Sequence, residues 1–192
     1  MKLLQIDSSI TGASSVSRPL TEAVVAKLVA ADPATAVTKR DLAAAPLPHL
    51  DLASYPGGES EAAAASSAIL EEFLAADVVV IGAPMYNFTI PSQLKAWIDR
   101  VVVRGRTFSY GPDGVTGLIP GKRIIIVVSR GNFYGPGAPA AVFEHLETLL
   151  GGVFGFLGAP PEFVIAEGVA AGPEHLAAAL DSAHQAIDRL AA

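Results

Sequence analysis

At 192 residues the chain has the length of a single domain, and it can bury a core without cross-links or structural metal. Its 51% hydrophobic and 17% charged residues exclude a disordered chain, and the absence of cysteine excludes disulfides, thiolate nucleophiles, iron–sulfur clusters and cysteine-ligated zinc. A net charge of −6 without a lysine/arginine cluster argues against nucleic acid or an anionic membrane as partner, which leaves a small molecule and, for redox chemistry, a bound cofactor.

In chain order, the segment Lys2–Ile6 is a short, near-continuous apolar run, too brief for the core of a signal peptide, so a cytoplasmic protein is expected. Helix Ser17–Ala31 and a weakly marked strand at Ala36–Arg40 follow. Ala43–Glu61, rich in Pro, Gly, Ser and Ala, reads as an excursion with no core of its own. Helix Ala62–Ala76 leads to strand Asp77–Gly82 and then to helix Pro91–Val103, whose Leu94, Trp97, Ile98 and Val101 share one face. A second excursion, Arg104–Gly121, precedes strand Arg123–Ser129, helix Ala138–Phe156, strand Glu162–Ala166 and helix Pro173–Leu190. The apolar stretch Leu149–Pro161 falls well short of the roughly 20 residues that a membrane helix needs.

Strands without alternation, separated by helices, predict a doubly wound parallel sheet of five strands, ordered 2-1-3-4-5, with helices on both faces and one domain over 1–192. Such sheets bind ligands beyond the carboxyl ends of their strands, where the strand order reverses. The loops after the first, third and fourth strands are therefore neighbours.

The first of these, Ser8 to Pro19, runs hydroxyls into a helix start with Ser17 as the expected N-cap. Backbone N–H groups, the helix dipole and Arg18 suit an anion such as phosphate. Neither G-x-G-x-x-G nor G-K-[ST] is present, which disfavours a dinucleotide fold or an NTPase. The second loop, Pro84-Met85-Tyr86-Asn87-Phe88, places large aromatics between Pro84 and Pro91, where a flat ring would give them something to pack on. Folding of Tyr86 and Phe88 back onto the core is the alternative. In the third, Ser129-Arg130-Gly131-Asn132, Gly131 can bring a backbone N–H close to a ligand, though loop flexibility explains the glycines equally. Trp97 and His145 read as structural.

Ser8-Ser9, Ser15-Val16-Ser17, Pro84-Met85-Tyr86-Asn87-Phe88, Pro91-x-x-Leu94-Lys95, Ser129-Arg130-Gly131 and Ala166-Glu167-Gly168, in this order, resemble the FMN-dependent NADH azoreductases, flavodoxin-like relatives of the two-electron quinone reductases. The resemblance covers nearly the whole chain. It implies a flavodoxin-like fold and one FMN per subunit. The phosphate would be held by Ser9, Ser15, Val16 and Ser17, and the ring by Met85, Tyr86, Asn87, Phe88, Ser129, Arg130, Gly131 and Asn132. Val16 stands where relatives often carry glutamine and Asn132 where a second glycine is common, so backbone contacts are what carries over at both.

It further implies a homodimer with its site at the subunit interface, where Tyr110 and Phe156 would help cover the flavin and line the substrate pocket. The reaction would be ping-pong: NADH or NADPH gives a hydride to the flavin and leaves, and a quinone or aromatic azo acceptor follows at the same place. No side chain is assigned as an obligatory acid or base, and N–H donors of Arg130 and Gly131 would face the ring edge that becomes anionic. The alternative is a flavodoxin-type FMN electron carrier without a small-molecule acceptor of its own. A receiver domain of the same fold would need acids clustered beside a phosphorylatable aspartate, and Asp7 has no such neighbour in the sequence.

Overall fold

A computed structural model of the chain describes residues 1–112 and 114–191. Five parallel strands, β1 (Lys2–Asp7), β2 (Ala36–Asp41), β3 (Val78–Pro84), β6 (Arg123–Arg130) and β7 (Glu162–Glu167), form one sheet in the order β2-β1-β3-β6-β7. This is the 2-1-3-4-5 order that the sequence predicts. The central strand β3 is buried along its whole length, which is why it reads as unbroken Val and Ile. At the edge, β2 is exposed over Ala36–Lys39, so it shows no apolar run and gives the weakest signal.

Helices α1 (Ser17–Ala31) and α5 (Pro173–Arg189) cover one face, closing a core of residues such as Leu3, Leu20, Val24, Val80, Val127 and Ile187. Helices α2 (Glu61–Ala75), α3 (Ser92–Val101) and α4 (Leu146–Phe156) cover the other, around Ile6, Phe73, Ile81, Trp97, Ile126 and Phe154. The predicted face of α3 is buried as a set, and Trp97 meets Phe73 edge-on at 5.5 Å. No helix among the described residues is long and apolar enough to cross a membrane.

Two segments differ from their sequence reading. The helix expected over Ala138–Phe156 begins only at Leu146. A 3-10 turn at Ala141–Phe143 precedes it, and the Glu144 carboxylate accepts the N–H groups of Leu146 and Glu147 at 2.8 Å, starting the helix there. The excursion Arg104–Gly121 contains an antiparallel hairpin, β4 (Phe108–Gly111) and β5 (Gly114–Gly117). Gly117 seats it: a Cβ at this position would lie 2.1 Å from the carbonyl carbon of Leu157, so the backbones touch where no side chain fits.

Candidate functional site

The loop after β1 is tied down before it turns. Ser8 Oγ donates to the Gly82 carbonyl at 2.6 Å, fixing the ends of β1 and β3 to each other. Ser9 Oγ lies 2.9 Å from Thr11 Oγ1. Ser17 is not the cap: it is already helical and buried, and Ser15 Oγ accepts the N–H of Arg18 at 3.2 Å instead. Ser15 Oγ and Ser17 Oγ sit 3.3 Å apart. The N–H groups of Val16 and Ser17 have no acceptor among the described residues, as expected of a helix start, and they offer an anion two donors beside the three hydroxyls.

Arg18 corrects another expectation. Its guanidinium makes a two-pronged pair with Asp41, at 2.7 and 2.8 Å, and donates to the Ser9 carbonyl at 2.8 Å. The paired hydrogen bonds from Arg18 hold the Asp41 carboxyl at about 2, from its ordinary 3.8. The charge is therefore committed, and Arg18 braces the loop rather than serving as a free anion ligand. Behind it Asp7 is buried, accepting from Thr21 Oγ1 at 2.8 Å and Gln5 Nε2 at 3.0 Å, and desolvation pushes its carboxyl above the ordinary range.

The loop after β3 is a tight turn. Tyr86 and Thr89 exchange backbone hydrogen bonds of 2.9 and 3.2 Å, and between them Asn87 (φ 46°) and Phe88 (φ 74°) both adopt left-handed backbone. Two such residues in succession make a type I′ turn, a geometry that glycine favours and phenylalanine resists. The turn leaves the N–H groups of Asn87 and Phe88 without an acceptor among the described residues. Met85 N–H, by contrast, is spent on the Ser129 carbonyl at 2.8 Å.

The aromatic side chains of this turn stay with the loops. Tyr86 Oη accepts the Ile10 N–H at 3.1 Å and lies 3.4 Å from Ser9 Oγ, joining the first loop to the second. Phe88 is half exposed and packs against Phe143 at 5.1 Å, and its carbonyl accepts the His145 N–H at 3.1 Å. Ile10, Met85, Tyr86, Asn87, Thr89 and Gln93 line a cleft of about 640 Å³. A second hollow, of about 300 Å³, lies at Ser9, Gly12, Arg18 and Asp41.

After β6, the carbonyls of Arg130, Gly131 and Asn132 accept N–H groups of Val169, Ala170 and Gly168 at 3.0 to 3.2 Å. Ser129 is buried, and Asn132 Oδ1 accepts the N–H of Phe133 at 2.8 Å. This arrangement leaves the N–H groups of Gly131 and Asn132 without an acceptor among the described residues. The Arg130 side chain does not meet its expectation as a donor to a ring edge. It is 3% exposed, paired with Glu147 and with Glu167 at 2.9 Å, and 3.9 Å from Glu144. Among the N–H donors expected there, Gly131 keeps its hydrogen free.

Tyr110 and Phe156 both contact Phe108, at 5.4 and 4.8 Å, and both are exposed. Phe156 ends α4, about 15 Å along that helix from its start beside Phe88, so the chain's own fold does not bring this pair to the three loops. The sequence reading missed Asp41, Glu147 and the clamping role of Glu167. Only the last had a signal: with β6 and β7 in parallel register, Arg130 stands opposite Glu167. No His, Asp or Glu cluster among the described residues could hold a metal.

Three adjacent loops at the carboxyl edge of a doubly wound sheet, with hydroxyls and free N–H groups at one end and free N–H groups beside a cleft at the other, define a binder of a phosphate-bearing flat cofactor. The chain belongs to the flavodoxin-like fold family, whose model matches residues 1–191.

Relatives sharpen the comparison. The chain is 56% identical over 200 residues to the FMN-dependent NADH:quinone oxidoreductase of Gluconacetobacter diazotrophicus, covering 99% of each chain. It is 54% identical to FMN-dependent NADH:quinone oxidoreductase 2 of Bradyrhizobium diazoefficiens, over the full length of both. Among solved structures it resembles an azoreductase of Bacillus anthracis (TM-score 0.86, 31% identity, 99% of this chain and 100% of that one). An FMN-dependent NADH-azoreductase from the same species, solved in complex with FMN, superposes with a TM-score of 0.85 at 26% identity over the full length of both chains.

Proposed function

We propose that the protein is an FMN-dependent NADH:quinone oxidoreductase that also reduces aromatic azo compounds, acting in the cytoplasm as a homodimer. The observation that carries this reading is the set of N–H groups of Asn87, Phe88, Gly131 and Asn132, without acceptors among the described residues, on the loops that leave the neighbouring strands β3 and β6, together with the cleft that Met85, Tyr86 and Asn87 line. Full-length relatives bearing that activity in their names add to it.

The residues fit FMN at both ends. Ser9, Ser15 and Ser17 with the N–H groups of Val16 and Ser17 would hold the phosphate at the start of α1. The four free N–H groups would meet the polar edge of the ring, and fixed donors of this kind need no reorganisation when charge develops. Bound FMN supplies two-electron chemistry, accepting hydride from NADH and passing the electrons to the acceptor. Ser8 and Tyr86 keep the phosphate and ring ends in register through Gly82 and Ile10.

Tyr110 and Phe156 form an exposed aromatic patch remote from the chain's own loops, which suits a wall offered to the partner's site. Mixing subunits tests this. A subunit lacking both aromatics, paired with one whose phosphate loop is disabled, regains one intact site per dimer if the wall acts in trans and none if it acts in cis. The cofactor reading is tested by the absorbance of the purified protein and by anaerobic addition of NADH. A colourless protein that gains nothing from added FMN would overturn it, and a yellow one that NADH cannot bleach would point to an electron carrier.

A further inference from the structure

We propose that Glu167 is a positioning residue that sets the Gly131 and Asn132 N–H groups against the flavin; this rests on the reading that this loop faces the ring. One carboxylate oxygen, Glu167 Oε2, accepts from Arg130 Nε at 3.0 Å, Tyr134 N–H at 3.0 Å and Gly135 N–H at 3.2 Å, and it forms an ion pair with Arg130 Nη2 at 2.9 Å. A single atom thus ties the last residue of β6 to the far side of the loop that leaves it.

The two halves of the loop are held differently. Its near half is bound through carbonyls, which residues 168–170 engage from the segment after β7. Tyr134 and Gly135 are held through N–H groups by Glu167, and Gly135 approaches so closely that a Cβ there would lie 3.2 Å from Glu167 Oε1. Between the halves stand Gly131 and Asn132, whose carbonyls are held and whose N–H groups have no acceptor among the described residues. Removing the carboxylate would strand two backbone donors and leave the buried Arg130 with Glu147 and the more distant Glu144. The free donors would then sample several positions instead of one. Reduced FMN, with its extra charge on the edge they face, would lose more from this than the oxidised form.

The test uses the holoenzyme and three variants. In the wild type, FMN is expected to protect the Gly131 and Asn132 amides from hydrogen exchange; if it does not, the placement of the loop against the ring fails, whatever Glu167 does. Given that protection, Glu167→Ala and Glu167→Asp, which draws the carboxylate back by one methylene, should weaken FMN binding about tenfold or more. The reduced form should lose a further tenfold, read as a reduction potential about 30 mV lower. Glu167→Gln keeps an oxygen for Tyr134 and Gly135 and should recover most of both losses. A folded Ala or Asp variant with wild-type potential and FMN affinity, merely less stable, would overturn the proposal. So would a Gln variant no better than Ala.

Discussion

Replacing Asp41 by asparagine tests the brace on the phosphate loop. Two hydrogen bonds from Arg18 hold the Asp41 carboxyl at about 2, and the N–H groups of Ala43 and Ala44 help against desolvation. Because the folded value lies below the ordinary 3.8, ionised Asp41 stabilises the fold at higher pH, and that contribution disappears as the pH falls from about 5 towards 2. At about 1.4 kcal/mol for each pH unit, the displacement sets a ceiling near ~2.5 kcal/mol. The Asp41 side chain is 36% exposed, however, and solvent screening reduces the expected contribution to about 1 kcal/mol. Urea denaturation of the apoprotein between pH 7 and pH 2.5 should show wild type and Asp41→Asn differing by about that amount at neutral pH and converging in acid. FMN binding should weaken a few-fold as well, since Arg18 would hold the Ser9 carbonyl less firmly. Stability curves that stay parallel through the acid range would refute the assignment.

Asp7 should behave with the opposite sign. Desolvation raises its carboxyl, so the fold prefers the neutral acid and loses stability as the pH rises above 3.8. Asp7→Asn is expected to be more stable relative to wild type at pH 7 than at pH 3, because the amide carries no charge to desolvate and a reoriented Gln5 can offer it the unpartnered Oε1; urea titrations at both pH values check this, and an equal difference at both would refute it. At the strained turn, Phe88→Gly should exceed Phe88→Ala in stability by about 1 kcal/mol, since both lose the ring and only alanine keeps the left-handed penalty. An Ala variant of equal or greater thermal stability would refute that. Gly117→Ala should destabilise by about 1–3 kcal/mol or more, because a methyl group meets the Leu157 backbone. An unchanged melting temperature would show that the hairpin is not seated there.

What the sequence revealed was set by burial. β1, β3, β6 and β7 announce themselves because helices cover the sheet on both faces and each strand carries a short run of Leu, Ile or Val, whereas β2 faces solvent and carries Thr38, Lys39 and Arg40. The hairpin was invisible because its four-residue strands, with Gly111, Gly114 and Gly117, are too short and too poor in side chains for a period to show. The helix predicted over Ala138–Phe156 is shorter in the fold, beginning at Leu146, because its start is fixed by Glu144 and not by the helical character of the residues before it. At the site, the loops were legible as loops, yet the destination of each charge was not. Arg18 looked free until the end of β2 delivered Asp41, and Arg130 until α4 and β7 delivered Glu147 and Glu167. Partners brought by another strand or helix leave no local mark.

The exposed edge strand β2 also bears on how two copies can meet. An open strand edge invites another backbone to pair with it, and sheets commonly blunt such edges with charge. Here Lys39 reaches Glu22 and Arg40 reaches Glu72, so an incoming strand would have to pass side chains already engaged with the helices on either face. Joining two sheets edge to edge at β2 is therefore disfavoured, and the homodimer proposed above would have to form through other surfaces. Both sheets would then keep their own five strands, with the loops at their carboxyl ends free to receive a neighbour.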